Sequence, residues 1–388
     1  MTFDVLIIGG GLVGASLAAA LKSGDLSVAL VENHAISNQP APGNGWDSRI
    51  YAISPGCAAF LAQSGAWQHM DMNRVQQIEQ MRVFGDGGAE LDFSAYQVGA
   101  PELAFILESR LLLAALWQQL QQQDNLTLFS PAKCASLAWH DDAASLHLED
   151  GREICAKLIV GADGRDSWVR QQAGITEPPS PYHQHGVVAN FVAEKPHRST
   201  AWQWFQPDGI LALLPMPQQM VSMVWSVSPE RSAELTSMPH DELCAQVAAA
   251  SHHMLGELQV VTPPAAFPLR LLNLPHIAKP RLALIGDAAH NVHPLSGQGV
   301  NLGFRDARQL AQVLLQRGPQ QDCGNEHLLR RYDRARREDI LSMQLTTDAL
   351  KNLFNNRNPL LRTMRNLGLN VTNHVAPLKK MLARHALN

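Results

Sequence analysis

Phe3-Asp4-Val5-Leu6-Ile7-Ile8-Gly9-Gly10-Gly11-Leu12-Val13-Gly14 is the stretch that decides the fold. An apolar run ends at Gly9-x-Gly11-x-x-Gly14, and small or apolar positions at Ala15, Leu17, Ala18 and Leu21 continue it as a helix. Lys22-Ser23-Gly24-Asp25 breaks that helix, and Val28 to Val31 reads as a second buried strand. Residues 3 to 31 therefore form one strand–helix–strand unit with parallel pairing. The turn glycines let the backbone approach a pyrophosphate, whose charge the helix N-terminus meets. Glu32 closes the second strand, where its carboxylate can accept from ribose hydroxyls. Gly9, Gly11, Gly14 and Glu32 are thus cofactor-binding candidates, with FAD and NAD still undivided.

Two later signatures choose between them. Leu158-Ile159-Val160 runs into Gly161-Ala162-Asp163-Gly164-Arg165, with Arg170 beyond. Asp163 and Gly164 join the candidates, and Arg165 or Arg170 can attract a phosphate; taken alone, the Asp-Gly pair reads as a turn. Leu282 to Ile285 then runs into Gly286-Asp287-Ala288-Ala289-His290, followed by Pro294-Leu295-Ser296-Gly297-Gln298-Gly299-Val300-Asn301. Asp287 can hold ribityl hydroxyls. Gly297, Gly299, Val300 and Asn301 present backbone N–H groups at the start of a helix, which would stabilise a reduced, anionic flavin ring lying there. Three signatures in this order point to a flavin dinucleotide. His290 and His293 flank the last one, each open to a structural or a proton-transfer role.

The rest of the chain sets the frame. From about 126 to 161 short strands alternate with turns, and from about 182 to 270 β-rich runs are separated by proline and glycine. From about 300 onward the sequence reads as helices. The expected fold is α/β: a discontinuous FAD-binding Rossmann-like domain (1–75, 100–178 and 275–320), an inserted, mainly antiparallel β-sheet substrate domain (76–99 and 179–274), and a C-terminal helical region (321–388). With 46% hydrophobic and 17% charged residues among 388, the composition is that of a globular protein. A net charge of -4 gives no argument for nucleic-acid binding. Five scattered cysteines without C-x-x-C spacing argue against a disulfide framework or a metal site and fit a reducing compartment. No apolar run reaches the roughly eighteen residues of a membrane span, so a cytoplasmic location is expected.

These residues resemble the class A flavoprotein aromatic hydroxylases, whose nucleotide-binding, Asp-Gly and Gly-Asp signatures occur in this order. A narrower resemblance runs almost the full length, to the ubiquinone-biosynthesis hydroxylases. It rests on Asp47-Ser48-Arg49-Ile50-Tyr51-Ala52-Ile53-Ser54, on Glu108-Ser109-Arg110 with Ser109 where that family usually carries Asn, on Ala212-Leu213-Leu214-Pro215, and on Gly286 to Gly303. Late elements such as Thr347-Asp348-Ala349-Leu350 fit as well. The resemblance implies that Arg49 and Arg110 contact FAD. It also implies that the loop containing Pro294, Gly297 and Gln298, with His290 beside it, is the catalytic floor.

The implied reaction is hydroxylation of a polyprenylated phenol or quinol through a flavin C4a-hydroperoxide, with O2 as co-substrate and NAD(P)H or a protein as electron donor. The cofactor carries the difficult chemistry while the protein positions the ring. Phe191, Trp202, Trp204, Phe205, Leu211, Leu213 and Met223 are candidates for an apolar channel, with core packing as the alternative for each. Trp202-Gln203-Trp204-Phe205-Gln206-Pro207 also resembles a flavin-halogenase signature, with Gln206 in place of Ile. An epoxidase, a prenyl reductase and a flavin-bearing scaffold subunit of a biosynthetic complex are the other readings. From Lys351 onward there are seven Lys/Arg and no Asp/Glu. Leu378, Met381 and Leu382 lie beside Lys379, Lys380 and Arg384, so this tail reads either as a surface for an anionic membrane or for other ubiquinone-biosynthesis proteins, or as a helix packed on its own domain.

Overall fold

The computed structural model describes residues 1–36, 45–292, 297–318 and 320–354, together with Asn366 and Asn373. Pro294, His293 and the tail residues Leu378, Lys379, Lys380, Met381, Leu382 and Arg384 lie outside the described residues. The first half of the chain runs β1 (Thr2–Ile8), α1 (Leu12–Ala20), β2 (Val28–Val31), β3 (Ile50–Ile53), α2 (Pro55–Gln63), β4 (Gln76–Ile78), β5 (Gln80–Phe84), β6 (Glu90–Ser94), α3 (Ala95–Val98), β7 (Ala104–Glu108), α4 (Ser109–Leu120), β8 (Leu126–Phe129), β9 (Cys134–Trp139), β10 (Ala144–Leu148) and β11 (Glu153–Gly161). There follow α5 (Trp168–Gln172), β12 (Ser180–Ala193), β13 (Thr200–Gln206), β14 (Gly209–Met216), β15 (Met220–Val227), α6 (Pro229–Ser237), α7 (His240–Ala250) and β16 (Leu258–Asn273). The chain continues through β17 (Ala278–Lys279), β18 (Leu282–Leu284), β19 (His290–Asn291), α8 (Gly299–Leu315) and α9 (Glu326–Phe354).

The glycine signatures, far apart in sequence, end neighbouring strands. One sheet has the order β17-β18-β11-β1-β2-β8, with β10 and β9 added on the side of β11. Its centre is parallel, and Ile8 pairs with Gly161, which in turn pairs with Leu284. Val5 to Ile7, Leu158 to Val160 and Leu282 to Leu284 are buried, as parallel strands covered on both faces require. Helix α1 packs against both α4 and α8, and Ala15, Ala18 and Ala19 are fully buried there. Ligands of such sheets lie beyond the carboxyl ends of the strands, which is where all three signatures meet.

A second sheet has the order β19-β16-β12-β15-β14-β13-β5-β6. It is antiparallel except where β13 runs parallel to β5, from Thr200 opposite Gln80 to Trp204 opposite Phe84. The strand-and-turn reading of residues 182 to 270 missed α6 and α7. Helix α6 starts where Ser228 Oγ accepts from the Arg231 N–H at 3.2 Å, with Pro229 in the first turn. Together α6 and α7 cover one face of the sheet through Leu235, Leu243 and Val247. A small antiparallel sheet, β3-β7-β4, lies alongside.

Candidate active site

A cavity of about 650 Å³ opens between the strand ends of the first sheet and the uncovered face of the second. From the first side come Gly11 to Val13, Ser48 to Ala52, Ser109, Gly164, Arg165, Asp287, His290, Gly297, Gly299 and Val300. From the second come Val188, Leu214, Ser222, Val224 and the run Ala265 to Arg270. Arg49, Arg165 and Arg270 therefore share the cavity with the carboxylate of Asp287; Arg270 is paired with Asp166 at 3.1 Å. Asp287 meets water through the cavity and protein on its other sides. That enclosure raises its pKa, against the opposing pull of His290, Arg165 and Arg49.

The glycines divide by what a side chain would meet. At Gly9 (φ +106°) a Cβ would stand 2.4 Å from the Ala162 carbonyl oxygen, and at Gly14 only 2.0 Å from the Gly9 carbonyl oxygen. At Gly11 it would meet no protein atom within 4 Å. Gly9 and Gly14 thus keep strand, helix and the 161–164 turn in close contact. Gly11 alone of the three leaves free space, and that space belongs to the cavity.

Behind the cavity wall lies a buried polar network. Asp306 of α8 is fully buried; its Oδ2 accepts from the Gly286 N–H at 2.8 Å and lies 2.6 Å from His290 Nε2. Its Oδ1 accepts from Arg336 Nε at 2.7 Å. Arg336 also donates to Asp339, Arg305 donates to Asp339 at 2.9 Å, and Arg305 reaches Gln298 Oε1 at 3.4 Å. Burial opposes ionisation of Asp306, but His290 and Arg336 outweigh it and hold the carboxyl below its usual range. An ionised carboxylate only accepts, so His290 Nε2 carries the proton in this bond.

A family model described as an FAD binding domain matches residues 2–345. The chain is 37% identical to the 3-demethoxyubiquinol 3-hydroxylase of Escherichia coli (strain K12), over 99% of this chain and 98% of the relative. This chain belongs to the FAD-dependent ubiquinone-biosynthesis hydroxylases. It is also 36% identical to ubiquinone hydroxylase UbiL of Rhodospirillum rubrum, over 99% of this chain and 89% of the relative. Among solved structures, P. aeruginosa PqsL in complex with 2-aminobenzoylacetate has the same fold, with a TM-score of 0.79 at 23% identity over 95% of this chain and 99% of that one. The enzyme is an FAD-dependent monooxygenase, and the open cradle at Gly11, in a cavity that Arg49 and Arg165 also line, fits a dinucleotide phosphate.

Not every candidate faces the cavity of this monooxygenase. Gly11, Arg49, Gly164, Asp287, His290, Gly297, Gly299 and Val300 line it, whereas Gly9, Gly14, Glu32, Arg110, Asp163, Gly286, Gln298 and Asn301 do not. Glu32 accepts from the Gly10 N–H at 2.8 Å and from the His34 N–H at 3.0 Å. Arg110 is engaged with Glu108 and the Gly45 carbonyl. Asp163 accepts from the Val169 N–H at 2.9 Å, and Arg170 is buried against the carbonyls of Ala288 and Arg165. The side chain of Asn301 is committed: Nδ2 donates to the Ala52 carbonyl at 2.8 Å, and Oδ1 accepts from the Ser54 N–H at 2.9 Å. Asn301 therefore clamps the start of α8 to the end of β3. Asn301→Ala leaves both backbone groups without this partner and is expected to cost about 2–4 kcal/mol, measured by urea unfolding of the FAD-loaded protein.

All of the channel candidates except Phe205 stand on the other face of their sheet; Phe205 shares the face of Ile210 and Leu214 but lies in a separate cluster away from the cavity. Phe191, Trp202, Trp204, Leu211, Leu213 and Met223 pack into the core beneath α6 and α7, and Phe205 packs with Val83, Leu91 and Ile210. The cavity takes the alternate positions Val188, Leu214, Ser222 and Val224. Side chains alternate between faces, so choosing the bulkier set selected the core. Tyr51 and Phe267 also line the cavity without having been singled out for it; Tyr51 sits within the Arg49 segment, and Ser109 lines the same cavity.

Proposed function

We propose that this monooxygenase hydroxylates the ring of a prenylated phenol or quinol on the ubiquinone route. One observation carries the reading: the glycine-signature strand ends and an apolar sheet face close on the same cavity, in a chain similar along its whole length to a 3-demethoxyubiquinol 3-hydroxylase. FAD, when bound, supplies the activation of O2. In this reading Gly11, Arg49, Arg165, Asp287, Gly297, Gly299 and Val300 hold FAD, while Gly9, Gly14 and Gly286 shape the turns that admit it. Val188, Leu214, Val224 and Phe267 orient the ring and keep water from it. His290, fixed by Asp306, is placed to hold a proton at Nε2 beside the Gly286 turn. The same proposal gives FAD to residues 1–75, 100–178 and 275–320, and the substrate to 76–99 and 179–274. The electron donor is proposed to be NAD(P)H or a protein that visits the flavin.

The test is O2 consumption dependent on a prenylated phenol, with hydroxylated ring recovered in equal amount; O2 reduced to H2O2 with the ring unchanged overturns the reading. Two neighbouring residues check the channel. Val224→Phe narrows the cavity and is expected to raise KM by roughly tenfold, equivalent to about 1.4 kcal/mol of lost binding, with FAD retained. Met223→Ala, facing the core, is expected to cost about 2–4 kcal/mol of stability and leave KM unchanged.

A further inference from the structure

One polar group on the cavity wall has been left unmatched by the fold. Ser222 is 1% exposed and lines the cavity, and its Oγ has no hydrogen-bond partner among the described residues. The other buried polar side-chain atoms without a partner among the described residues belong to residues that do not line the cavity. In the antiparallel ladders Ser222 stands opposite Asn190 of β12 and Leu214 of β14, so the three share a face. Asn190 is fully buried and pinned: its Nδ2 donates to the Asp47 carbonyl at 2.8 Å, and its backbone N–H to Thr262 Oγ1 at 2.9 Å. Its Oδ1 is likewise without a partner among the described residues.

An unmatched hydroxyl in a largely apolar wall destabilises the protein unless something meets it. Around it stand Val188, Leu214 and Val224, which offer no hydrogen bond of their own, and Asn190, whose Oδ1 makes none with it and can only accept. A few placed polar groups in an apolar pocket fix a ligand's orientation. We propose that Ser222 Oγ is the hydrogen-bonding partner of a ring hydroxyl on the aromatic substrate and sets which edge of the ring faces it. This inference rests on the function proposed above. A hydroxyl group is the matching chemistry because it both donates and accepts, as Ser222 does, whereas a bare ring edge leaves the serine as unmatched as before.

The experiment titrates the FAD-loaded enzyme calorimetrically with 2-prenylphenol and with prenylbenzene, which lacks the oxygen. Wild type is expected to prefer the phenol by about tenfold, as one buried hydrogen bond allows. Ser222→Ala reduces that preference below about twofold, and Ser222→Thr, which keeps the hydroxyl, retains it. Melting of the flavin-free proteins gives a second readout: Ser222→Ala melts at or above the wild-type temperature, because it removes an unmatched hydroxyl rather than a bond. A Ser222→Ala variant that keeps the full preference, or melts lower while keeping it, overturns the inference and leaves the proposed function standing. A wild-type enzyme that binds neither compound and consumes no O2 with either overturns both.

Discussion

Gly11→Val is expected to yield a folded protein that purifies without flavin, while Gly14→Val loses flavin and stability together. Position 11 has an extended backbone (φ -66°, ψ -177°) that any residue adopts, and no protein atom within 4 Å of its would-be Cβ, so a side chain there starts in open space. Its side chain enters the space assigned to the pyrophosphate. Flavin-free Gly11→Val should therefore match flavin-free wild type within about 0.5 kcal/mol. At position 14 the added Cβ would stand 2.0 Å from the Gly9 carbonyl oxygen and 3.0 Å from Ala162 Cβ, so α1 must move off its strand. That displacement is expected to cost about 3 kcal/mol or more. Flavin absorbance of the purified proteins and their melting curves separate the two cases. A yellow Gly11→Val protein with wild-type FAD affinity would remove the cradle assignment.

Asp306→Asn is expected to have the other large effect. The isosteric amide keeps one acceptor but turns an NH2 toward donors from Gly286, His290 or Arg336, and it leaves Arg336 without its fully buried counter-ion. Breaking a buried pair from one side costs about 3–5 kcal/mol. The pH dependence has a definite sign. A depressed folded pKa makes this stabilisation fully present above the unfolded value, about pH 3.9, and removes it as pH falls through the lower folded value. Urea unfolding of wild type and variant should differ by a constant amount at neutral and mildly acidic pH and converge only in stronger acid. A difference that vanishes already near neutrality would show that Asp306 is not held ionised.

What the sequence reveals of this fold follows from what each signal encodes. A glycine turn after an apolar run is local, so the three strand ends could be read directly; their adjacency is what the parallel pairing of β1, β11 and β18 adds. The core and cavity faces of β12, β14 and β15 are not local. Val187 and Val188, or Met223 and Val224, are chemically alike, and only the position of α6 and α7 decides which one faces inward. Asn301 carries the residue type of a ligand contact, yet its amide is spent on β3. Asp306 and Arg336 sit on two separate helices and form a pair only once α8 and α9 are packed together. No spacing rule links them.

The alternation along β12, β14 and β15 means that one strand serves two masters who never meet. Under the proposed function, residues 188, 214, 222 and 224 can drift to suit a new ring while 187, 213, 223 and 225 hold the scaffold unchanged. A single deletion ahead of residue 222 within β15 would exchange the β15 members of the two sets, bringing Met223 and Trp225 to the cavity and Ser222 under the helices. On that reading the cavity face is open to point substitution and closed to changes of length.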